Sequence, residues 1–206
     1  YTEDTALNLI DIVASDVDSA NITVTLTLSN VAAGSLTTAT SGLVTSTYNA
    51  GTGVWTASGA LANVNILLAG VTFTPTLNFN SNFTIATSVS DGVAAAITGV
   101  KAMTGTPVND APTATNLSAA ETYTEDTALN LIDIVASDVD SANITVTLTL
   151  SNVAAGSLTT ATSGLVTSTY NAGTGVWTAS GALANVNILL AGVTFTPTLN
   201  FNSNFT

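Results

Sequence analysis

The residues able to do chemistry in this chain are its acids, and they sit in short, recurring segments. T-E-D-T carries Glu3 and Asp4, A-S-D-V-D-S carries Asp16 and Asp18, S-V-S-D-G carries Asp91, and V-N-D-A-P-T carries Asn109 and Asp110. The first two segments return as Glu125 with Asp126 and as Asp138 with Asp140. Glu121, Asp11 and Asp133 complete the set, the last two as well placed to end a strand as to bind anything. Two carboxylates about 4 Å apart repel by about 1 kcal/mol in water and about 4 at an intermediate dielectric. Clusters of this kind, with no basic neighbour, spread apart unless a cation neutralises them. Ca2+ fits, because it accepts carboxylate, amide, carbonyl and water oxygens, whereas Mg2+ demands tight octahedral geometry and retains its waters. Neither an EF-hand loop nor the glycine-rich calcium nonapeptide is present. The competing reading is that the acids only solubilise the surface. Solvating charges would be spread over exposed strand faces, and those faces carry Thr, Ser and Asn instead.

The remaining composition excludes more than it supplies. The 206 residues include 13 Asp and Glu, one Lys, no Arg and no His, for a net charge of −12. Charged residues are 7% of the chain, against about 25% in an ordinary domain. A nucleic-acid surface is excluded, since only Lys101 could displace phosphate counterions, and a polybasic membrane contact fails likewise. Without Cys or His there is no thiol nucleophile, Ser-His-Asp triad, Cys/His zinc site or disulfide. A pair such as Asp16 and Asp18 could serve as acid and base, but nothing in the pattern advertises a substrate cleft. An enzyme and a small-molecule substrate are therefore not expected. No apolar run has the length of a transmembrane helix, and the opening at Tyr1, with no signal peptide, reads as a fragment of something longer.

The elements that must position the acids read almost entirely as strand. Ile22, Val24, Leu26 and Leu28 alternate with Thr23, Thr25 and Thr27, giving one buried and one wet face. Val71 and Phe73 alternate with Thr72 and Thr74, Phe83, Ile85 and Val89 continue the pattern, and Val93–Met103 supplies a last strand. N-A-G-T-G between Tyr48 and Trp55 reads as a hairpin turn. One short helix interrupts, with Ser58 as its cap, Leu61, Val64 and Leu68 on one face, and Gly70 as its stop. Trp55 and Phe73 read as core. The Thr23–Thr27 row resembles the threonine rows of ice-binding proteins, but one isolated row is explained by the wet face of a sandwich strand. About seven short strands per module predict an all-β, immunoglobulin-like Greek-key β-sandwich, with a barrel as the alternative.

Residues 1–84 recur without a change at 123–206, a period of 122. That is too long for a solenoid turn and right for a whole domain. The segment 104–116, with Pro107 and Pro112 around Asn109–Asp110, reads as a short stiff linker. The expected modules are therefore 1–110, lacking its lead-in, and 111–206, lacking its last strands. The open edge so created is read as simple truncation, the alternative being that a neighbouring molecule supplies the missing strands.

T-E-D-T, A-S-D-V-D-S and V-N-D-A-P-T, in that order, resemble the ligand segments of cadherin-like, immunoglobulin-like repeats in giant bacterial surface adhesins, many of the RTX adhesin class. The resemblance spans essentially the whole chain. It implies that Glu3, Asp4 and Asp91 of the first module meet Asn109 and Asp110 of the linker and Asp138 and Asp140 of the second. It implies too that Asp16 and Asp18 face a preceding module, and that Glu125 and Asp126 serve a following one. A Gram-negative cell surface and type I secretion are likewise implied.

The function expected is a Ca2+-rigidified structural extender, projecting a distal ligand-binding domain away from the cell, whose partners are the identical neighbouring modules. The alternative is a multivalent module that binds glycans or another cell's surface.

Overall fold

The computed structural model describes residues 1–206. They form two compact units, Tyr1–Val108 and Asn109–Thr206. In the first unit the strands are β1 (Leu7–Asn8), β2 (Asn21–Leu28), β3 (Gly34–Leu36), β4 (Thr40–Ser41), β5 (Val44–Thr45), β6 (Thr47–Asn49) and β7 (Val54–Ala60). Helix α1 (Leu61–Ala69) follows, then β8 (Thr72–Pro75), β9 (Phe83–Ser90) and β10 (Ile97–Met103). One sheet runs β10-β9-β2-β7-β6 and the other β1-β8-β3. Consecutive strands pair at both edges of the larger sheet, β9 with β10 and β6 with β7, while β2 lies between β7 and β9, both distant from it in the chain, as Greek-key connections require.

The β2 alternation does what its pattern dictates. Ile22, Val24, Leu26 and Leu28 are buried and the threonines between them are half-buried. They share one core with Trp55 of β7, Leu36 of β3 and Phe73 of β8, so the two sheets close on a common apolar layer. Burying side chains of this size contributes about 1.5–3 kcal/mol each, the main return against chain entropy. The turn at 49–53 forms as the glycines predict: Gly53 has φ 69°, and Tyr48 pairs with Trp55 across the hairpin.

Three local expectations are corrected. Ser58 does not cap the helix, because it lies inside β7, where its hydroxyl bonds Thr23 Oγ1 at 2.7 Å. Ala60 is the capping position, and the Leu61 N–H is satisfied by the Ala20 carbonyl at 2.9 Å. The last strand begins at Ile97, not Val93, because the chain first turns at Gly92 (φ 80°). The threonine row is not isolated: Thr25 pairs with Ser88, Thr98 lies beyond Ser88, Thr56 lies on the other side of Thr25, and Thr47 lies beyond Thr56, so hydroxyls line up across five strands.

The second unit repeats most of this framework as β11 (Thr113–Ala114), β12 (Leu129–Asn130), β13 (Ala136–Ser137), β14 (Asn143–Thr149), β15 (Gly156–Leu158), β16 (Thr162–Ser163), β17 (Val166–Thr167), β18 (Thr169–Asn171) and β19 (Val176–Ala182), then α2 (Leu183–Ala191) and β20 (Thr194–Pro197). Its sheets are β12-β20-β15 and β14-β19-β18, with β11 paired to β13. Thr113 and Ala114 are therefore a strand and not free linker, a correction to the reading of 104–116. Thr106 is likewise bridged in parallel to Thr2. Neither helix is long and apolar enough to cross a membrane.

Identical residues meet different surroundings in the two units. Val24 and Leu26 are 0% and 1% exposed, whereas Val146 and Leu148 are only half-buried. Sequence and strand propensity are the same, so the difference is the β9 strand, which lies on β2 and has no counterpart on β14.

Candidate functional site

The acids gather at two places in the first unit. Glu3 is held by a short run of parallel pairing: its N–H donates to the Thr106 carbonyl at 3.1 Å, and the Thr106 N–H to the Tyr1 carbonyl at 2.9 Å. This turns its side chain inward, where it is 1% exposed. Oε1 accepts a hydrogen bond from the Val108 N–H, and Oε2 is buried with no hydrogen-bond partner. A buried carboxylate oxygen left unbonded is costly, and a hard cation is the chemical species that would satisfy it. Asp4 points elsewhere. It takes φ 56°, and its Oδ1 accepts from the Asn78 N–H at 2.8 Å, fastening the entry turn to the loop after β8.

Asp16 and Asp91 meet at a second place. Asp16 Oδ1 accepts from the N–H groups of Asp18 at 2.9 Å and Ser19 at 2.6 Å, an Asx turn that fixes the Asp-Val-Asp loop. The Ser19 hydroxyl reaches Asp91 Oδ2 at 3.4 Å. Asp91 Oδ1 accepts from Val93 and Ala94 N–H at 3.0 and 2.9 Å, and these two donors hold its carboxyl below the usual carboxylate range, with Ser19 adding to them. Asp16 and Asp91 line one cavity of about 80 Å3. Asp91 therefore groups with the Asp16 loop and not with Glu3, as the resemblance had implied. The reason is topological: β9 is antiparallel to β2, so the end of β9 lies beside the start of β2.

In the second unit the same loop engages the linker. Asp138 Oδ1 accepts from Asp140 and Ser141 N–H at 2.9 and 2.7 Å, and Asp140 Oδ2 accepts from the Asp110 N–H at 2.6 Å. Asn109 Nδ2 donates to the Asp110 carbonyl at 2.8 Å. The structure thus brings Asn109, Asp110, Asp138 and Asp140 together. Glu125 is exposed, its Oε2 near Asn202 Nδ2 at 3.4 Å, and Asp126 Oδ1 accepts from Asn200 N–H at 2.7 Å. Glu121 accepts from Ile132 N–H at 2.9 Å and the Asp133 carbonyl from Asn116 Nδ2 at 2.8 Å. Asp11 is exposed outside any strand.

Every donor in these groups is a hard oxygen, which suits Ca2+. Nowhere do three or more acidic side chains surround one point. A bound Ca2+ would therefore draw its remaining ligands from carbonyls, Asn109 and water. The pattern missed one residue that positions these loops. Asn65 on α1 donates to the Ala14 carbonyl and accepts from the Ala14 N–H, both at 2.9 Å, fixing the backbone just before Asp16. Asn187 repeats this at Ala136.

An open groove of about 450 Å3 beside Asp91 is lined by Thr23, Ser58 and Ser90 among others. It offers hydroxyls and one carboxylate, with no aromatic platform.

No family model matches the chain, and no curated protein does. Among solved structures, the type II cohesin dyad from the adaptor ScaA scaffoldin of Acetivibrio cellulolyticus aligns at 12% identity over 90% of this chain and 78% of that one, with a TM-score of 0.28. The C-terminal domain of the Streptococcus agalactiae AgI/II polypeptide BspA aligns at 9% identity over 86% and 73%, with a TM-score of 0.24. These scores are too low to assign a common ancestry or a shared activity.

Proposed function

We propose that this chain is a Ca2+-rigidified extender repeat of a large bacterial cell-surface adhesin, in the manner of the RTX adhesins it resembles. The observation that carries the reading is the unchanged recurrence of residues 1–84 at 123–206 on two compact β-sandwich units. Repetition of a whole folded module multiplies length without adding a new active surface, which is what a spacer requires.

The acid placement supports the calcium part. The Asp-Val-Asp loop receives Asp91 in one unit and Asp110 in the other. Because the two loops are identical, a unit possessing both neighbours would focus four carboxylates on one pole. Glu3 supplies a separate buried oxygen. Extracellular calcium modules bind with Kd of about 10⁻⁴ to 10⁻³ M, so such sites fill outside a cell. Small-angle X-ray scattering of this chain in millimolar Ca2+ and then in excess chelator tests the reading. An elongated, rigid particle that becomes flexible on chelation supports it; no change in maximum dimension or flexibility removes the calcium part.

A second reading, a multivalent glycan- or surface-binding module, is favoured by the hydroxyl-lined groove beside Asp91. Glycan-array binding by the chain would select it over the extender.

A further inference from the structure

The first unit, Tyr1–Val108, is entered and left by two segments that lie side by side. Residues 1–3 run parallel to residues 104–108, with Thr2 bridged to Thr106. The Thr106 N–H donates to the Tyr1 carbonyl at 2.9 Å, and the Glu3 N–H donates to the Thr106 carbonyl at 3.1 Å. Pro107 has no N–H to give. A side chain carries the pairing one step further, Glu3 Oε1 accepting from the Val108 N–H. Each segment is anchored in a different sheet. Residues 1–3 lead into β1 of the β1-β8-β3 sheet, and the Tyr1 ring packs edge-on against Phe73 at 5.2 Å. Residues 104–108 follow β10, which pairs with β9 from Ile97–Val89 to Met103–Phe83. Gly105 permits this course, since a Cβ there would lie 2.0 Å from the Asn80 carbonyl oxygen.

We propose that residues 1–3 and 104–108 form a mechanical clamp that carries tension through the first unit, with Glu3 as its last tie. The inference rests on the extender reading, because only a chain pulled along its backbone uses such a device. Tension draws residues 1–3 toward their N-terminal side and residues 104–108 toward their C-terminal side. For parallel neighbours these directions are opposite, so the hydrogen bonds between them are loaded in shear and must yield together. Without the clamp, tension would fall on β1, which pairs with β8 only at Leu7 and Asn8. Forced unfolding is governed by the unfolding rate and not by equilibrium stability. The clamp therefore sets resistance to force without having to add much to the free energy of folding. Glu3 fits that role. Its bond to Val108 is charge-assisted, yet burying its carboxylate is costly. Val108 is 45% exposed, so water would satisfy its N–H if Glu3 were lost. Glu3 thus acquires a function that needs no cation.

Single-molecule force spectroscopy of the full chain in excess chelator tests this. The chain has no cysteine, so handles at the N-terminus and at Asn109→Cys load the first unit alone. Urea midpoints are read in parallel from Trp55 in a Trp177→Phe background. Glu3→Ala keeps the backbone bonds and removes the tie to Val108. It should unfold about tenfold faster than wild type at a given force, the effect of one lost hydrogen bond to a charged group, with its urea midpoint unchanged or raised. Thr106→Pro removes the N–H that bonds Tyr1 and should weaken the clamp in the same direction. Asn65→Ala breaks two bonds to Ala14, outside the clamp; it should lower the urea midpoint and leave the unfolding force near wild type. Unchanged forced unfolding of Glu3→Ala, or forces that follow the urea midpoints across the variants, overturns the proposal. Because calcium is absent throughout, that result leaves the scattering test of the extender to stand or fall separately.

Discussion

The carboxylate of Glu3 accepts a hydrogen bond from the backbone N–H of Val108, 105 residues further along the chain. Its twin in the repeat, Glu125, has no such strand to receive it and is exposed. The burial of Glu3 is therefore imposed by the pairing of Tyr1–Glu3 with residues 104–108, not by any preference of Glu for the interior. That pairing leaves Oε2 buried and without a hydrogen-bond partner. Glu3→Gln should keep the Oε1-type contact to Val108 and remove the charge that a cation needs. If Glu3 helps hold Ca2+, urea unfolding of the wild-type chain should show a calcium increment of about 1.4 kcal/mol at ten times the Kd. The variant should lose most of that increment while matching or exceeding wild type in chelator. An undiminished increment would remove Glu3 from the ligand set.

Asp91 makes a pH-dependent contribution whose sign is fixed by its surroundings. Two backbone N–H donors hold its carboxyl below the ordinary range, so the folded state binds its proton more weakly than the unfolded chain does. The stabilisation is present above the unfolded value of about 3.9 and is lost as pH falls through the lower, folded value. Asp91→Asn should therefore be less stable than wild type near neutrality, and the two should converge in acid. Denaturant midpoints measured from pH 7 down to pH 2.5 would show this; a difference that persists in acid would mean that Asp91 acts through shape alone.

Asn65 is a packing device with both ends of its amide in use. Ala14 is 7% exposed, so when Asn65→Ala removes both side-chain bonds, the Ala14 N–H and C=O lose their partners together. An unsatisfied buried polar group costs about 1–3 kcal/mol. We expect Asn65→Ala to lower the stability of the first unit by about 2 kcal/mol and to loosen the Asp16 loop, visible as faster amide exchange at Asp18 and Ser19. Leaving that exchange unchanged would show that the Asx turn holds the loop by itself.

Backbone space sets a further limit at Gly34, which has φ 154° and sits against β8. A Cβ there would lie 2.1 Å from the Thr74 carbonyl oxygen, and at the matching Gly156 it would lie 2.1 Å from that of Thr196. Neither oxygen can retreat, because each belongs to a paired strand. Gly34→Ala should cost at least about 2 kcal/mol, and Gly156→Ala should do comparable damage to the other unit. Wild-type denaturation curves for both variants would refute the clash.

What the sequence made legible was local. The alternation of Ile22–Leu28, the N-A-G-T-G turn and the stop at Gly70 each depend on a few adjacent residues, and each appears where the pattern places it. The core positions of Trp55 and Phe73 were readable for the same reason. Asp91 was misgrouped because its neighbours are chosen by which strands pair, and Asp16 is 75 positions away in the chain. Ser58 resembled a cap because capping residues and wet-face strand residues have the same chemistry; only its pairing with Thr23 distinguishes them. Asn65 gave no signal, since an Asn on a short helix reads as surface until its partner at Ala14 is known.

The two units also differ in how much of the same core they close, and stability should follow. The first unit covers β2 on both sides within a five-stranded sheet; the second leaves one side of β14 open in a three-stranded sheet. Each has one tryptophan, Trp55 or Trp177, fully buried at equivalent positions. In a Trp55→Phe chain the remaining fluorescence reports the unaltered second unit, and in a Trp177→Phe chain it reports the unaltered first. The apolar area left open along Ile144, Val146 and Leu148 lowers stability by about 25 cal/mol for every Å2 uncovered. For a unit of about 100 residues, each kcal/mol displaces the midpoint by roughly 4–8 °C. The Trp177 signal should therefore melt at least about 5 °C below the Trp55 signal, giving two transitions in the wild-type chain. Coincident melting of the two reporters would mean that the β9–β10 hairpin contributes little to the stability of the first unit.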